Sequence, residues 1–209
     1  MKIGVIACKI MEEEIKSLIK DDHEVKKIEF LDFGLHVNSD DLLSAVIDKI
    51  NAMKNSVDCI FLGYGYCQVL EGIEDKVDIP VFMPDAPDCI GVFLTPKGYA
   101  EQKSKEAGTW FMTHGWCERG YEDTVIKELR LDTVKDTHPG IEPMDIAKML
   151  FKNYTKVLYI DTSTGTKDID HLRSKEFADA FDLKVDSIEG TTDYLKNAYE
   201  RMKNHECKK

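Results

Sequence analysis

The 209-residue sequence has no apolar run near the ~18 residues that a membrane-spanning helix needs. Its first apolar stretch, Ile3–Ala7, runs straight into Glu12, Glu13 and Glu14. That reads against a secretion leader, which needs a basic start, a longer apolar middle and a small-residue cleavage site. No Lys/Arg-rich run is present, and 28 basic residues face 39 acidic ones for a net charge of −11. Such a body repels phosphate backbones and anionic lipid, so neither nucleic acid nor membrane is an expected partner, and the expected location is cytoplasmic. With 6 prolines and 13 glycines, the chain is not of low-complexity type. Cys-x-x-Cys is missing, and with it the strongest local metal signature. So is Gly-x-Ser-x-Gly, the turn that presents a hydrolase serine. Gly63-x-Gly65 lacks the third glycine of a dinucleotide fingerprint, and Lys167 is misplaced for a P-loop.

What is present is 43% apolar residues in a pattern that alternates strands with helices. Strand runs stand at Lys2–Ala7, Val25–Phe33, Asp58–Leu62, Val81–Met83, Thr109–Met112, Val157–Ile160 and Leu183–Ile188, of which Lys2–Ala7, Val81–Met83 and Val157–Ile160 read as buried. Helical spacing links Met11, Ile15, Leu18 and Ile19, and Asn38-Ser39-Asp40 caps a helix with Leu42, Leu43, Val46, Ile47 and Ile50 on one face. Further helices are expected at Cys89–Leu94, Lys97–Glu106, the charged stretch Glu118–Lys135, Met144–Phe151 after Pro139 and Pro143, His171–Ala180 and Thr191–Met202. This alternation predicts an α/β fold, a mainly parallel sheet flanked by helices. Strand, helix, strand and capped helix recur from Lys156, Lys184 and Thr191, as from Lys2, Val25 and Ser39. The chain is thus either a single α/β domain over 1–209 or two lobes, about 1–100 and about 101–209. The second case gives two Rossmann-like half-units with a cleft at the strand C-terminal ends.

Cys8, Cys67, Cys89 and the pair His114 and Cys117 each follow a separate expected strand. Carboxyl ends of parallel strands line the ligand crevice in such sheets, so these loops could gather a soft-metal site. Thiolates suit zinc or an iron–sulfur cluster, and His114 could be a fourth ligand. The plain alternative is packing, since cysteine is among the most buried residue types. Cys59 reads as core and Cys207 as part of an exposed end. Tyr64, Tyr66, Trp110 and Trp116 could wall a small-molecule pocket, or simply pack. Thr162-Ser163-Thr164 could hold a carboxylate or phosphate through hydroxyls and backbone N–H groups, or could serve as a helix-capping loop. His36 is a secondary candidate, as is Cys117, and a nucleophilic pair such as Cys89 with His114 has no local support over metal ligation.

Several blocks resemble the family known as domain of unknown function 1638. They are Cys8-Lys9-Ile10 with Glu14, Leu62 to Cys67, Pro84 to Cys89, and Gly108 to Trp116. In order they cover roughly Met1 to Ile188. The resemblance implies cysteines at Cys8, Cys67 and Cys89, an aspartate at Asp88 and a tryptophan at Trp116. It also implies an anaerobic, often methanogenic setting beside corrinoid methyltransferase systems, with a corrinoid protein or methyltransferase as partner. The sequence departs from the family pattern, which has Arg and His where Asp85 and Pro87 stand, Gly where Gln68 stands and Pro where His114 stands. Loss of that basic pair argues against an anionic substrate beside the cysteines.

Three cysteines with an open position describe a catalytic rather than a closed structural centre, because a structural zinc site wants four protein ligands. The leading expectation is therefore a cytoplasmic metalloprotein holding zinc or an iron–sulfur cluster, in corrinoid-linked or one-carbon metabolism. Methyl or sulfur transfer would suit it. The alternatives are a non-catalytic metal or cofactor carrier, an accessory partner of a methyltransferase, and a thiol enzyme without metal.

Overall fold

The computed structural model describes residues 1–127, 129–138 and 140–205, with the side chains at 36, 37, 121–123, 135 and 137 left out. Pro139 and Cys207 lie outside the described residues. The chain forms two compact units: Met1–Gly98 joined by the chain from Thr191 onward, and Tyr99–Gly190.

In the first unit, strands β1 (Ile3–Cys8), β2 (Val25–Leu31), β3 (Cys59–Gly63) and β4 (Val81–Phe82) pair in the order β2-β1-β3-β4, all parallel. Every residue of β1 and β3 is buried, as expected of strands covered on both faces. The edge strand β2 is open to solvent at Lys26, Lys27 and Ile28, where charge discourages pairing with another sheet. Helix α1 (Glu12–Ile19) places Glu12, Glu13 and Glu14 in its first turn, where the helix dipole favours them, and buries Ile15 and Ile19. Helix α2 (Ser39–Met53) starts where the Asn38 side chain accepts from the Asp40 N–H at 3.2 Å. It buries Leu42, Val46, Ile50 and Met53, a stripe at helical spacing. Helix α3 (Cys89–Leu94) follows β4, and helix α4 (Pro96–Lys105) begins in the first unit and continues from Tyr99 in the second.

In the second unit, β5 (Thr109–Met112), β6 (Lys156–Asp161) and β7 (Lys184–Glu189) form a parallel sheet in the order β5-β6-β7. Helices α5 (His114–Tyr121), α6 (Val134–Thr137), α7 (Pro143–Phe151) and α8 (Lys167–Ala180) surround it in sequence. An aromatic cluster fills the core. Trp110 stacks on Phe177 at 5.7 Å, Phe151 stacks on Phe181 at 4.3 Å, and Trp116 meets Trp110 edge-on at 5.4 Å. Such pairs contribute about 0.5–1.5 kcal/mol each beyond their buried area.

Two boundaries differ from the sequence expectation. The charged stretch Glu118–Lys135 is not one helix. Helix α5 begins at His114, where the Thr113 carbonyl accepts from both the Trp116 and Cys117 N–H groups at 3.1 Å. Gly120, at φ 68°, interrupts it, and a π-helical turn (Glu122–Lys127), a 3-10 turn (Leu131–Thr133) and α6 carry the chain onward. Val125 and Leu131 are buried, too few apolar anchors to hold one long amphipathic face. The last helix, α9 (Asp193–Lys203), belongs to the first unit. There it buries Leu195, Ala198, Tyr199 and Met202, and the Tyr199 hydroxyl donates to Asp22 at 2.9 Å.

The two units share a local plan. In β1-α1-β2 and in β6-α8-β7 the first strand is central and buried, and the second is an edge. Among the described residues no helix is long and apolar enough to cross a membrane.

Candidate functional site

In the first unit the chemistry gathers at the carboxyl ends of β1 and β3. These strands run side by side in register, Ala7 opposite Gly63, so the next residue on each is Cys8 and Tyr64. A Cβ on Gly63 would lie 2.6 Å from the Ala7 Cβ and 2.7 Å from Ile15, so only glycine permits this closeness. The loop after β3 then turns onto the loop after β4. The Tyr66 N–H donates to the Ala86 carbonyl at 2.8 Å, and the Cys67 N–H to the Pro87 carbonyl at 2.9 Å. A Cβ on Gly65 would stand 2.6–2.7 Å from the Asp88 backbone, so the loops touch main chain to main chain. Asp88 caps α3 by accepting from the Gly91 N–H at 2.9 Å, and Cys89 opens that helix.

Cys67 and Gln68 both take left-handed backbone, at φ 45° and 69°. For residues with a Cβ this costs roughly 1–2 kcal/mol each. A glycine in place of Gln68 would hold that angle without strain. Paired strain beside a cluster of reactive side chains is a mark of functional loops.

Cys8, Cys67 and Cys89 are thiols rather than disulfides. Burial pushes Cys67 up to about 12, and the charges of Cys8 and Asp88 add to it. Cys89 is raised well above its ordinary value by burial, then by Cys67, Asp88 and Cys8. Tyr64 is 3% exposed, and its hydroxyl has no hydrogen-bond partner among the described residues. Burial holds it protonated, reinforced by Cys8, Cys67, Cys89 and Asp32. Three sulfurs and one unmet hydroxyl therefore share a single neighbourhood in which each of the strongest acting charges is negative. Among the described residues no group of three or more His, Cys, Asp or Glu side chains stands ready-made to hold a metal ion. The donor chemistry fits a soft cation, and a cation would have to draw the sulfurs together. A bare thiol nucleophile needs a lowered pKa, the opposite of what Cys67 and Cys89 have.

The other first-unit candidates stand nearby along the chain. The Tyr66 hydroxyl donates to Asp85 at 2.8 Å. His36 lies in the 3-10 turn Phe33–Val37, with its side chain outside the described residues.

The remaining candidates belong to the second unit. His114 Nδ1 lies 3.0 and 2.9 Å from the two carboxylate oxygens of Asp170. Asp170 is fully buried and also accepts from the Tyr159 hydroxyl at 2.9 Å. His114 Nε2 faces Glu118 at 3.5 Å. Cys117 is fully buried, with Sγ 3.3 Å from Ser174 Oγ, and burial pushes its thiol up to about 12. Trp116 belongs to the aromatic core. In the loop after β6, the Thr162 and Thr164 hydroxyls bond each other at 2.8 Å, and the Ser163 N–H donates to Asp161 at 2.9 Å. That loop does not cap α8 through a side chain: Thr166, at the N-cap, makes no such bond.

Asp170, Tyr159, Ser174 and Gly165 escape a reading by motif, because His114 and Asp170 are far apart in the chain. One signal was available. Asp170, Ser174, Phe177 and Phe181 recur at helical spacing, so a carboxylate sits on the apolar face of a helix.

A family model described as "Protein of unknown function (DUF1638)" matches residues 30–199. The match includes Cys67, Cys89 and His114, and Cys8 precedes it. No curated protein matches the chain. Among solved structures, the NocB thioesterase domain in covalent complex with a fluorophosphonate nocardicin G analogue is similar at a TM-score of 0.25 and 11% identity, over 98% of this chain and 95% of that chain. A likeness so slight carries no argument.

Proposed function

The chain belongs to the family of proteins of unknown function numbered 1638, and on that premise we propose that its first unit binds a thiophilic metal centre, zinc or an iron–sulfur cluster, through Cys8, Cys67 and Cys89. The observation that carries this reading is the main-chain contact between the loops after β3 and β4, at the end of β1. It brings cysteines from three separate segments to one strand edge. Cys8 stands before the family match, so its part rests on the fold alone.

Physical chemistry supports a cation there. The thiols of Cys67 and Cys89 are pushed up by burial and by neighbouring negative charge, and a cation would offset the repulsion between their thiolates when it takes the place of their protons. A metal held by three protein sulfurs keeps a coordination position for an exchangeable ligand and acts there as a Lewis acid. Tyr64 would then serve as a protonated donor to an acceptor atom on that ligand, which answers its unmet hydroxyl. Asp88 holds the Cys89 end of the site by capping α3.

Methyl or sulfur transfer in corrinoid-linked or one-carbon metabolism is the setting such a centre suits, with a corrinoid protein or methyltransferase as its partner. A carrier that hands its metal or cofactor on without turnover is the alternative. Cobalt(II) added to metal-free protein under anaerobic conditions tests the site. Sulfur-to-cobalt charge-transfer absorption is expected in the parent, weakened in each of Cys8→Ser, Cys67→Ser and Cys89→Ser. Undiminished absorption in all three variants would overturn the assignment. Rapid loss of the cobalt to a chelator, with no turnover of methyl donors, would favour the carrier.

A further inference from the structure

The sulfur site leaves His114 unexplained, and the second unit gives it a setting of its own. We propose that His114 is the catalytic residue of a separate proton-transfer site, its Nε2 taking a proton from an uncharged hydroxyl- or thiol-bearing ligand, with Asp170 as positioning residue. This does not rest on the metal centre.

Orientation comes first. Both oxygens of a fully buried carboxylate face Nδ1, so Nδ1 carries a proton and the lone pair of the neutral ring is at Nε2. Asp170 is itself held by the Tyr159 hydroxyl, from the strand next to β5, so the carboxylate does not have to turn to meet the ring. A carboxylate that fixes a histidine tautomer and stabilises the imidazolium is the arrangement general-base sites use.

Shielding comes second. A Cβ on Gly165 would collide with both Asp170 Oδ2 and His114 Nδ1, so the main chain of the loop after β6 lies directly against the pair. That loop closes the Nδ1 side, Glu118 stands 3.5 Å from Nε2, and His114 keeps 12% of its side-chain surface. Ser163 in the same loop has φ 60°, a left-handed angle that costs energy for a residue with a Cβ. His114 and this loop both follow adjacent parallel strands, the position where open sheets bind ligands.

Charge sets the ligand class. Glu118 faces Nε2, and Asp161 and Asp170 lie at the same strand ends. Lys167 is taken up by Asp161 at 2.8 Å. These carboxylates disfavour an anion, and the Thr162 and Thr164 hydroxyls of the loop after β6 add polar but uncharged groups at the same strand end. In the step, the ligand's O–H or S–H bond breaks and its electron pair stays on oxygen or sulfur. The proton forms N–H at Nε2, the imidazolium is balanced by Asp170, and in the reverse step the proton returns to the same oxygen or sulfur.

Diethyl pyrocarbonate, which acylates neutral imidazole nitrogen, tests this in the full chain, with each histidine followed by peptide mass spectrometry. His23 and His205 are exposed and serve as internal references. Burial alone makes His114 the slow one. The proposal expects His114 to react at least as fast as His23 and His205. It also expects Asp170→Asn to slow His114 about tenfold or more, because the amide no longer enforces the tautomer, with Asp170→Glu restoring much of the rate. Tyr159→Phe, which keeps the carboxylate, should slow it less and guards against misfolding of the Asp170 variants. Glycerol should protect His114 better than acetate at equal concentration. A His114 slower than both references, or a rate indifferent to Asp170 and Tyr159, would overturn the site. Stronger protection by acetate would overturn the ligand class.

Discussion

The sulfur cluster of the first unit and the histidine pair of the second stand at the same place, the carboxyl ends of parallel strands, but the Tyr64 hydroxyl of the one and the Asp170 carboxylate of the other are satisfied in opposite ways. In the second unit the buried carboxylate of Asp170 receives His114 and Tyr159, and Cys117 finds Ser174. In the first unit the Tyr64 hydroxyl is buried without a partner, and the charges acting most strongly on Cys67 and Cys89 are like-signed. A closed network holds its geometry from within, whereas an open one leaves its polar groups for something that binds.

Breaking the closed network should cost the most. Asp170→Ala leaves two buried donors without their acceptor and should lower stability by about 3–5 kcal/mol, read from urea unfolding. The two tyrosines sharpen the contrast. Tyr159→Phe removes a bond to a carboxylate and should cost about 1.5–3 kcal/mol, while Tyr64→Phe in metal-free protein should cost close to nothing. Equal costs would erase the distinction between the units. A gain comes next: Gln68→Gly relieves a left-handed angle and should stabilise the chain by about 1 kcal/mol. A loss there would mean that the Gln68 side chain has a role of its own.

The smallest effect is electrostatic and lies away from both sites. Burial works to raise Asp22, but hydrogen bonds from Lys203, the Glu24 N–H and the Tyr199 hydroxyl outweigh it and hold Asp22 below its ordinary value of 3.8. Its contribution is therefore present above that value and fades as pH falls below it. Lys203→Ala should remove part of this acid dependence, by no more than about 1 kcal/mol at neutral pH, as followed by thermal unfolding from pH 7 to pH 2.

Much of the fold was legible in the sequence because each strand is a short apolar run bounded by turn residues. Thr109–Met112 and Cys89–Leu94 have the bounds that pattern predicts. The stretch after Glu118 was not legible, since its irregular turns follow from backbone angles at Gly120 and Arg130 that no periodicity announces. Of the sites, the sequence places Cys8, Cys67 and Cys89 each after a strand, and the structure sets their segments at the carboxyl ends of neighbouring strands. Whether they would meet depended on strand order, and the order β2-β1-β3-β4 sets β1 beside β3. The pairing of His114 with Asp170 was hidden because Asp170 stands in the charged run Lys167-Asp168-Ile169-Asp170. Only the register of α8 shows it turned toward the core.

On the proposed reading, a metal completes the open network of the first unit. Elemental analysis with an absorption spectrum, on protein purified without oxygen, tests it directly. Near-stoichiometric zinc, or iron with matching sulfide and broad visible absorption, is the expected result, lost in each of Cys8→Ala, Cys67→Ala and Cys89→Ala. Metal-free parent protein that stays metal-free when zinc or iron and sulfide are offered would contradict it, and would leave Cys8, Cys67 and Cys89 as packed thiols.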